Sequence, residues 1–144
     1  MALVHATSVA LGGQGLLLLG PSGSGKSDLA LRLIDGGAVL ISDDQVDIAH
    51  EDGRLVASPP PPIAGLIEAR GIGLLRLPYR TKVPLVLAVE LVAKALIERL
   101  PDPAAWTCDG GQLPLLRLAP FEASTPAKLR LALMGGDEAI MRPQ

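Results

Sequence analysis

Aromatic side chains are almost absent from this chain: one Trp, one Tyr and one Phe account for 2% of its 144 residues. A core must therefore be assembled from Leu, Val, Ile and Ala, and the 49% apolar share supplies them. That share also excludes a disordered chain. Cys108 is the single cysteine, which rules out an intrachain disulfide and a cysteine-rich metal site. Formal net charge is −2, with Lys and Arg spread along the chain, so neither nucleic acid nor an anionic membrane is expected as a partner. Long uncharged apolar runs are missing too. Leu16 to Leu19 ends at a glycine, and Val83 to Leu100 is interrupted by Glu90, Lys94, Glu98 and Arg99. Residues 1–5 lack a basic region, so neither a signal peptide nor a membrane helix is expected.

What the chain does contain is Gly20-Pro21-Ser22-Gly23-Ser24-Gly25-Lys26-Ser27, which fits the phosphate-binding P-loop at every required position. The apolar run Gly15 to Leu19 before it reads as a strand, and Ser27 to Asp35 after it as a helix. Glycines at 20, 23 and 25 let the backbone curl and approach a ligand closely. The curled N–H groups and the helix N-terminus then cradle phosphate oxygens. In that setting Lys26 neutralises the outer phosphates and the Ser27 hydroxyl is a Mg²⁺ ligand. The expected ligand is a nucleoside triphosphate with Mg²⁺, and a cytoplasmic location fits nucleotide supply and the lone thiol.

The rest of the chain reads as one domain, residues 1–144, with no internal repeat. Thr7 to Leu11 reads as a strand and Gly12 to Gly15 as a turn. Gly36-Gly37 stops the first helix. Ala38 to Ile41 reads as a buried strand, and Val46 to His50 with Arg54 to Ala57 as a hairpin around Glu51-Asp52-Gly53. Pro59 to Pro62 reads as a stiff extended connector. Strands are expected at Leu66 to Ala69, Ile72 to Leu77, Val83 to Leu91 and Leu113 to Leu118. Ala93 to Leu100 is expected as a helix ended by Pro101. A last helix is expected to be capped by Thr125, with Pro126 at its first position, and stopped by Gly135-Gly136. The fold class is α/β, a strand-rich mixed sheet rather than a regular alternation of strands and helices.

Asp43 and Asp44 follow the strand after the P-loop helix, at the sheet edge that faces a ligand in such folds. Adjacent carboxylates there divide two tasks, holding Mg²⁺ and accepting a proton from an attacking hydroxyl. Either aspartate suits either task. Glu68 and Arg70 lie beside Gly71 and Gly73. Glu68 suits Mg²⁺ and Arg70 suits phosphate, although an ordinary strand-edge ion pair accounts for them equally well. His5 alone reads as a solvated or capping residue.

Taken together, His5, Gly20 to Ser27, Leu40-Ile41-Ser42-Asp43-Asp44-Gln45-Val46-Asp47 and Ile67-Glu68-Ala69-Arg70-Gly71-Ile72-Gly73 resemble the catalytic domain of the HPr kinase/phosphorylase family, in both order and spacing. The last two segments look like the family's Asp-Asp-Arg-Val-Asp and Glu-Ile-Arg-Gly-Leu-Gly stretches. The resemblance implies a P-loop kinase domain related to the nucleotide-binding fold of phosphoenolpyruvate carboxykinase. It also implies ATP- and Mg²⁺-dependent phosphorylation of a serine on HPr, the phosphocarrier protein of the sugar phosphotransferase system, and removal of that phosphate. By the same resemblance Lys26 holds the β- and γ-phosphates, Ser27 and Glu68 bind Mg²⁺, Asp44 is the base with Asp43 supporting the metal, and His5 lies near the transferred phosphate. Better-known members are hexamers, which makes a homo-oligomer the expectation. Those members carry a separate N-terminal domain, whereas this chain starts almost at the kinase domain and looks like a truncated proteobacterial form. A late arginine that assists transfer in the family has Arg117 as its nearest counterpart here, at a shifted register.

Two other readings use the same loop. A small-molecule kinase of the shikimate or gluconate type also places carboxylates after the P-loop helix, but the strand-rich stretch from Val46 to Leu91 and the tetraproline speak against its added helices and lid. A nucleotide-binding regulatory module without catalysis is the other.

Overall fold

Each leucine before the glycine-rich loop is buried or nearly so, and successive side chains point to opposite faces of one strand. In a computed structural model describing residues 1–135 and 140, this run forms β3 (Gln14–Leu19). Leu16 and Leu18 pack with Leu29 and Leu33, while Leu17 packs with Ile41, Val46, Ile48 and Leu55 on the other side. A strand buried on both faces needs a covering layer on each. Helices α1 (Lys26–Asp35) and α2 (Thr125–Met134) supply one. The other comes from the sheet itself, which curls so that β1 (Ala2–Val4), β5 (Val46–Glu51) and β6 (Arg54–Ser58) close over the second core.

The remaining strands are β2 (Thr7–Leu11), β4 (Val39–Ser42), β7 (Leu66–Ala69), β8 (Gly73–Arg76), β9 (Val83–Leu91), β10 (Ala104–Cys108) and β11 (Gly111–Leu118). A nine-stranded sheet runs β1-β5-β6-β9-β3-β2-β4, with β11 joined to β9 and β10 to β11. β9 organises it: its first residues pair antiparallel with β6, and the rest pairs in parallel with β3 and with β11. β2 lies antiparallel between β3 and β4. Four strands, β11, β9, β3 and β4, therefore point the same way. The segments that follow them, and the start of β2, meet at one edge of the sheet. β7 and β8 form a separate two-stranded leaf, anchored where Ile67 enters the core beneath α1.

The mixed α/β reading stands, with its boundaries adjusted. α1 begins at Lys26 rather than Ser27, and Gly25 occupies its N-cap at φ 98° without a side-chain cap. Its stop is as expected: the N–H of Gly37 bonds the carbonyl of Ile34 at 3.0 Å. The tetraproline is only partly extended, since a 3₁₀ turn covers Pro61–Ile63. Ala93 to Leu100 is not a helix; it holds one 3₁₀ turn, Lys94–Leu96. Leu96 and Leu100 are both more than 60% exposed, so a helix here would have no apolar face to bury. β1 and β10 are additions. Thr125 does not cap α2: Ser124 holds that position, Pro126 sits second, and the Thr125 hydroxyl donates to the Ala119 carbonyl at 2.6 Å. Gly136 of the expected stop lies outside the described residues.

Leu18 is fully buried beneath α1, whereas Leu131 is 66% exposed on α2. Leu18→Ala should lower unfolding free energy by about 3 kcal/mol in urea titration, and Leu131→Ala by less than about 0.5 kcal/mol.

Candidate functional site at the carboxyl edge of the sheet

Between β3 and α1 the chain turns through Gly20, Pro21, Ser22, Gly23, Ser24 and Gly25, and the geometry admits little but glycine at its ends. Gly20 lies at φ 153°, where a Cβ would stand 2.5 Å from Ser24 Oγ. Gly25 lies at φ 98°, where a Cβ would come within 2.8 Å of the Phe121 ring. The Ser24 N–H closes the turn on the Pro21 carbonyl at 3.1 Å. Lys26 is 6% exposed and donates its Nζ to the carbonyls of Gly20 at 2.6 Å and Pro21 at 2.9 Å. Burial pulls its pKa below the usual lysine value, against the opposing pull of the Asp44 and Asp43 carboxylates.

Asp43 is 7% exposed and is held by donors from different elements. Its Oδ1 accepts from the hydroxyls of Ser27 at 2.6 Å and Thr7 at 3.0 Å, and its Oδ2 accepts from the Glu68 N–H at 3.1 Å. A buried carboxylate requires such pairing. Asp44, the next residue, faces the other way. Its side chain is 73% exposed and its Oδ1 lies 3.1 Å from His5 Nε2. Its backbone sits at φ 70° while the N–H of Gln45 bonds the Asp43 carbonyl at 2.8 Å. Those are the marks of the rare, strained γ-turn with positive φ at its centre. Strain of this kind persists only where surrounding bonds hold it. Here the Ser42 hydroxyl donates to the Gln45 carbonyl and the Ala6 N–H to the Asp44 carbonyl.

A cavity of about 500 Å³ opens at this point, with Lys26, Ser27 and Asp44 along its floor and Glu68 and Arg70 contributed by the β7–β8 leaf. His5, Thr7, Ser22, Gly23 and Gly25 also face it. Asp44, Glu68, Lys26, Arg70 and His5 of the sequence reading thus share one space. Asp43 stands behind that space, engaged with Ser27, and Pro21 and Ser24 lie toward the other side of the loop. Arg117 is not brought here. It pairs across β11 and β9 with Glu90 at 2.8 Å.

Thr7 and Phe121 escaped the sequence reading, and so did Arg32. Thr7 opens a strand two residues after His5, and only tertiary pairing shows its hydroxyl on Asp43. Arg32 extends from α1 to Asp28 at 3.0 Å and to the carbonyls of Pro120 and Glu122, fixing the segment that carries Phe121.

Oxygen donors from Ser27, Asp43 and Glu68 suit a hard divalent cation. No group of three or more His, Cys, Asp or Glu able to hold a metal occurs among the described residues. Mg²⁺ does not require one, because it keeps waters and substrate phosphate oxygens alongside one or two carboxylates. The Ser27–Asp43 contact therefore fits Mg²⁺. Gly23, at φ 82° with nothing within 4 Å of a Cβ position, leaves that part of the loop open to a ligand. No helix among the described residues is long and apolar enough to cross a membrane.

A family described as the HPr Serine kinase C-terminal domain matches residues 1–80. The HPr kinase/phosphorylase of Clostridium botulinum (strain Eklund 17B / Type B) is 47% identical over 72 residues, which is 50% of this chain and 24% of that relative. Its namesake from Mycoplasmopsis pulmonis is 46% identical over 72 residues, covering 50% and 23%. The chain thus spans about a quarter of these relatives' length. In shape it is similar to the Hpr(Ser) kinase/phosphatase from Coxiella burnetii, with a TM-score of 0.81, 24% identity, and 94% of this chain and 90% of that one covered.

Two outcomes follow from the geometry. Asp43→Ala strands the Thr7 and Ser27 hydroxyls and should cost about 3 kcal/mol of unfolding free energy. Because burial lowers the Lys26 pKa, its charge is lost on alkaline titration sooner than that of an exposed lysine. Pyrophosphate affinity measured by calorimetry should fall as pH rises toward about 10, and Lys26→Arg should flatten that fall.

Proposed function

The chain belongs to the family of HPr serine kinase C-terminal domains, and from that premise we propose that it is an ATP- and Mg²⁺-dependent kinase phosphorylating a serine of an HPr-type phosphocarrier protein. The observation that carries the proposal is the pairing of a strained, exposed Asp44 with a glycine-rich loop and Lys26 around one cavity. In this reading the Gly20–Ser27 loop is a P-loop of the kind shared with phosphoenolpyruvate carboxykinase.

Its N–H groups and Lys26 bind the β- and γ-phosphates. Ser27, Asp43 and Glu68 hold Mg²⁺, which when bound offsets the charge on the leaving phosphates. Asp43, already accepting from Thr7, Ser27 and the Glu68 N–H, supports the metal rather than taking the proton. Asp44 has a free edge toward the cavity and takes the proton of the acceptor hydroxyl as that oxygen attacks the γ-phosphorus. The bond from γ-phosphorus to the bridging oxygen breaks in line with the attack, and ADP leaves. His5 orients the Asp44 carboxylate, and Arg70 faces the transferred group. Returned to its protonated form, Asp44 is the acid for the reverse, phosphate-removing reaction. The protein is proposed to act in the cytoplasm as a homo-oligomer.

A purely regulatory nucleotide module remains the second reading, favoured by Arg117 being tied to Glu90 rather than facing the cavity. The test incubates the chain with Mg²⁺, labelled ATP and HPr, beside an HPr variant whose acceptor serine is alanine. Label should appear on wild-type HPr alone. Asp44→Asn should reduce transfer by about a hundredfold or more while ATP affinity stays nearly unchanged. ATP binding with no transfer to HPr would overturn the HPr kinase reading in favour of the regulatory module or a different acceptor.

A further inference from the structure

A second groove, of about 760 Å³, lies on the β9–β11 side of the glycine-rich loop. Its walls are the segments that leave those two strands, Leu91-Val92-Ala93 and Ala119-Pro120-Phe121, and its inner lip is Pro21, Gly23 and Ser24 of the loop. β9 and β11 run parallel to β3, so this groove opens at the same carboxyl edge as the first cavity, where such folds place ligands. Gly23 and Phe121 line both spaces. The loop is therefore crossed by one trough with two chemically different ends.

One end carries Asp44, Glu68, Arg70 and His5. The other is walled by aliphatic side chains, a proline and a phenyl ring, with Lys94 and Glu122 facing one another at 4.0 Å. A nucleoside triphosphate lying across the loop has the same asymmetry, a charged reacting end and a flat, largely apolar base. Phe121 presents the required surface. Its ring is held against Gly25 yet is 68% exposed, although exposing a large apolar face to water is unfavourable. The ring is also placed in advance. Arg32 grips the carbonyls on either side of it, and the Thr125 hydroxyl bonds Ala119 at 2.6 Å. Beside it Ser24 Oγ is buried without a hydrogen-bond partner.

We propose that this groove is the nucleoside subsite: the base stacks on Phe121 against Val92 and Ala93, and the sugar hydroxyls meet Lys94 and Glu122. The assignment rests on the nucleotide reading above and extends it to residues outside the glycine-rich loop and the carboxylate cavity. Stacking on an aromatic face tolerates any base, so the subsite selects for a nucleotide over inorganic phosphate more than for one base over another.

Calorimetric titration with ATP and, separately, with inorganic tripolyphosphate tests it, because only ATP carries a nucleoside. Phe121→Ala should weaken ATP about tenfold and leave tripolyphosphate within about twofold of wild type, the loss of one stacking partner. Ala93→Trp, which fills the groove from an exposed position, should act in the same direction without touching the loop. Equal losses for both ligands would show that the ring only shapes the loop, and the proposal would fall. Unchanged ATP affinity in both variants, with HPr phosphorylation impaired, would assign the groove to the acceptor protein instead. A wild-type chain that binds neither ligand would overturn the nucleotide reading itself, and the subsite with it.

Discussion

A carboxylate taken out of water must find donors or lose its charge, and Asp43 finds them on three separate pieces of chain. The Thr7 hydroxyl comes from the start of β2, the Ser27 hydroxyl from the first turn of α1, and the Glu68 N–H from the β7–β8 leaf. None of these is a sequence neighbour of another. Each becomes an unpaired buried group if the others are misplaced, so the fold tolerates one arrangement and not a family of nearby ones. The sheet edge, the helix N-terminus and the leaf are registered against one another by a single side chain. That registration makes the cavity a defined shape rather than a gap among loops.

The same knot explains why the next residue can be strained. Asp44 occupies a γ-turn that a free peptide would rarely adopt. Asp43 cannot move without breaking its bonds, and Ser42 and Ala6 clamp the far side of the turn. The turn reverses the side-chain direction within one residue. One aspartate points into the protein and its neighbour points out to His5 and the cavity. A polar pair that looks redundant in sequence is thereby divided into a structural and an exposed member.

How much of this was legible in the chain depends on whether the signal was local. The Gly20–Ser27 turn, its flanking strand and helix, and the Val46–Ala57 hairpin were read correctly because turn chemistry and apolar runs are written in consecutive residues. The same holds for the late helix and for β9. β10 was missed because Ala104-Ala105-Trp106-Thr107-Cys108 is half-exposed and gains strand structure only from pairing with β11. Ala93 to Leu100 was misread for the opposite reason. Its residues favour a helix locally, yet the Val92 N–H is tied to the Leu118 carbonyl and no core face awaits the segment. Asp43, Asp44, Glu68 and Arg70 were visible as candidates, but which of the two aspartates is buried was not. The buried carboxylate is the one that Thr7, Ser27 and the Glu68 N–H reach together, and none of these pairings shows in local sequence.

Arginine placement carries the reasoning one step further. Arg32 is committed to the Pro120–Glu122 carbonyls and Asp28, and Arg117 to Glu90. Of these and Arg70, it is Arg70 that lines the carboxylate cavity, two residues from the Glu68 N–H that bonds Asp43. Arg70 sits between Ile67, anchored in the core, and the positive-φ glycines Gly71 and Gly73. Its guanidinium comes from a leaf tied to the buried aspartate through the Glu68 N–H and to the core through Ile67. A change at Asp43 would then disturb the Ser27 hydroxyl and the Arg70 guanidinium together, although the two arrive from opposite sides of the cavity. The helix side and the leaf side of the cavity are linked through one carboxylate that touches neither the cavity's Lys26 nor its Asp44 by a hydrogen bond.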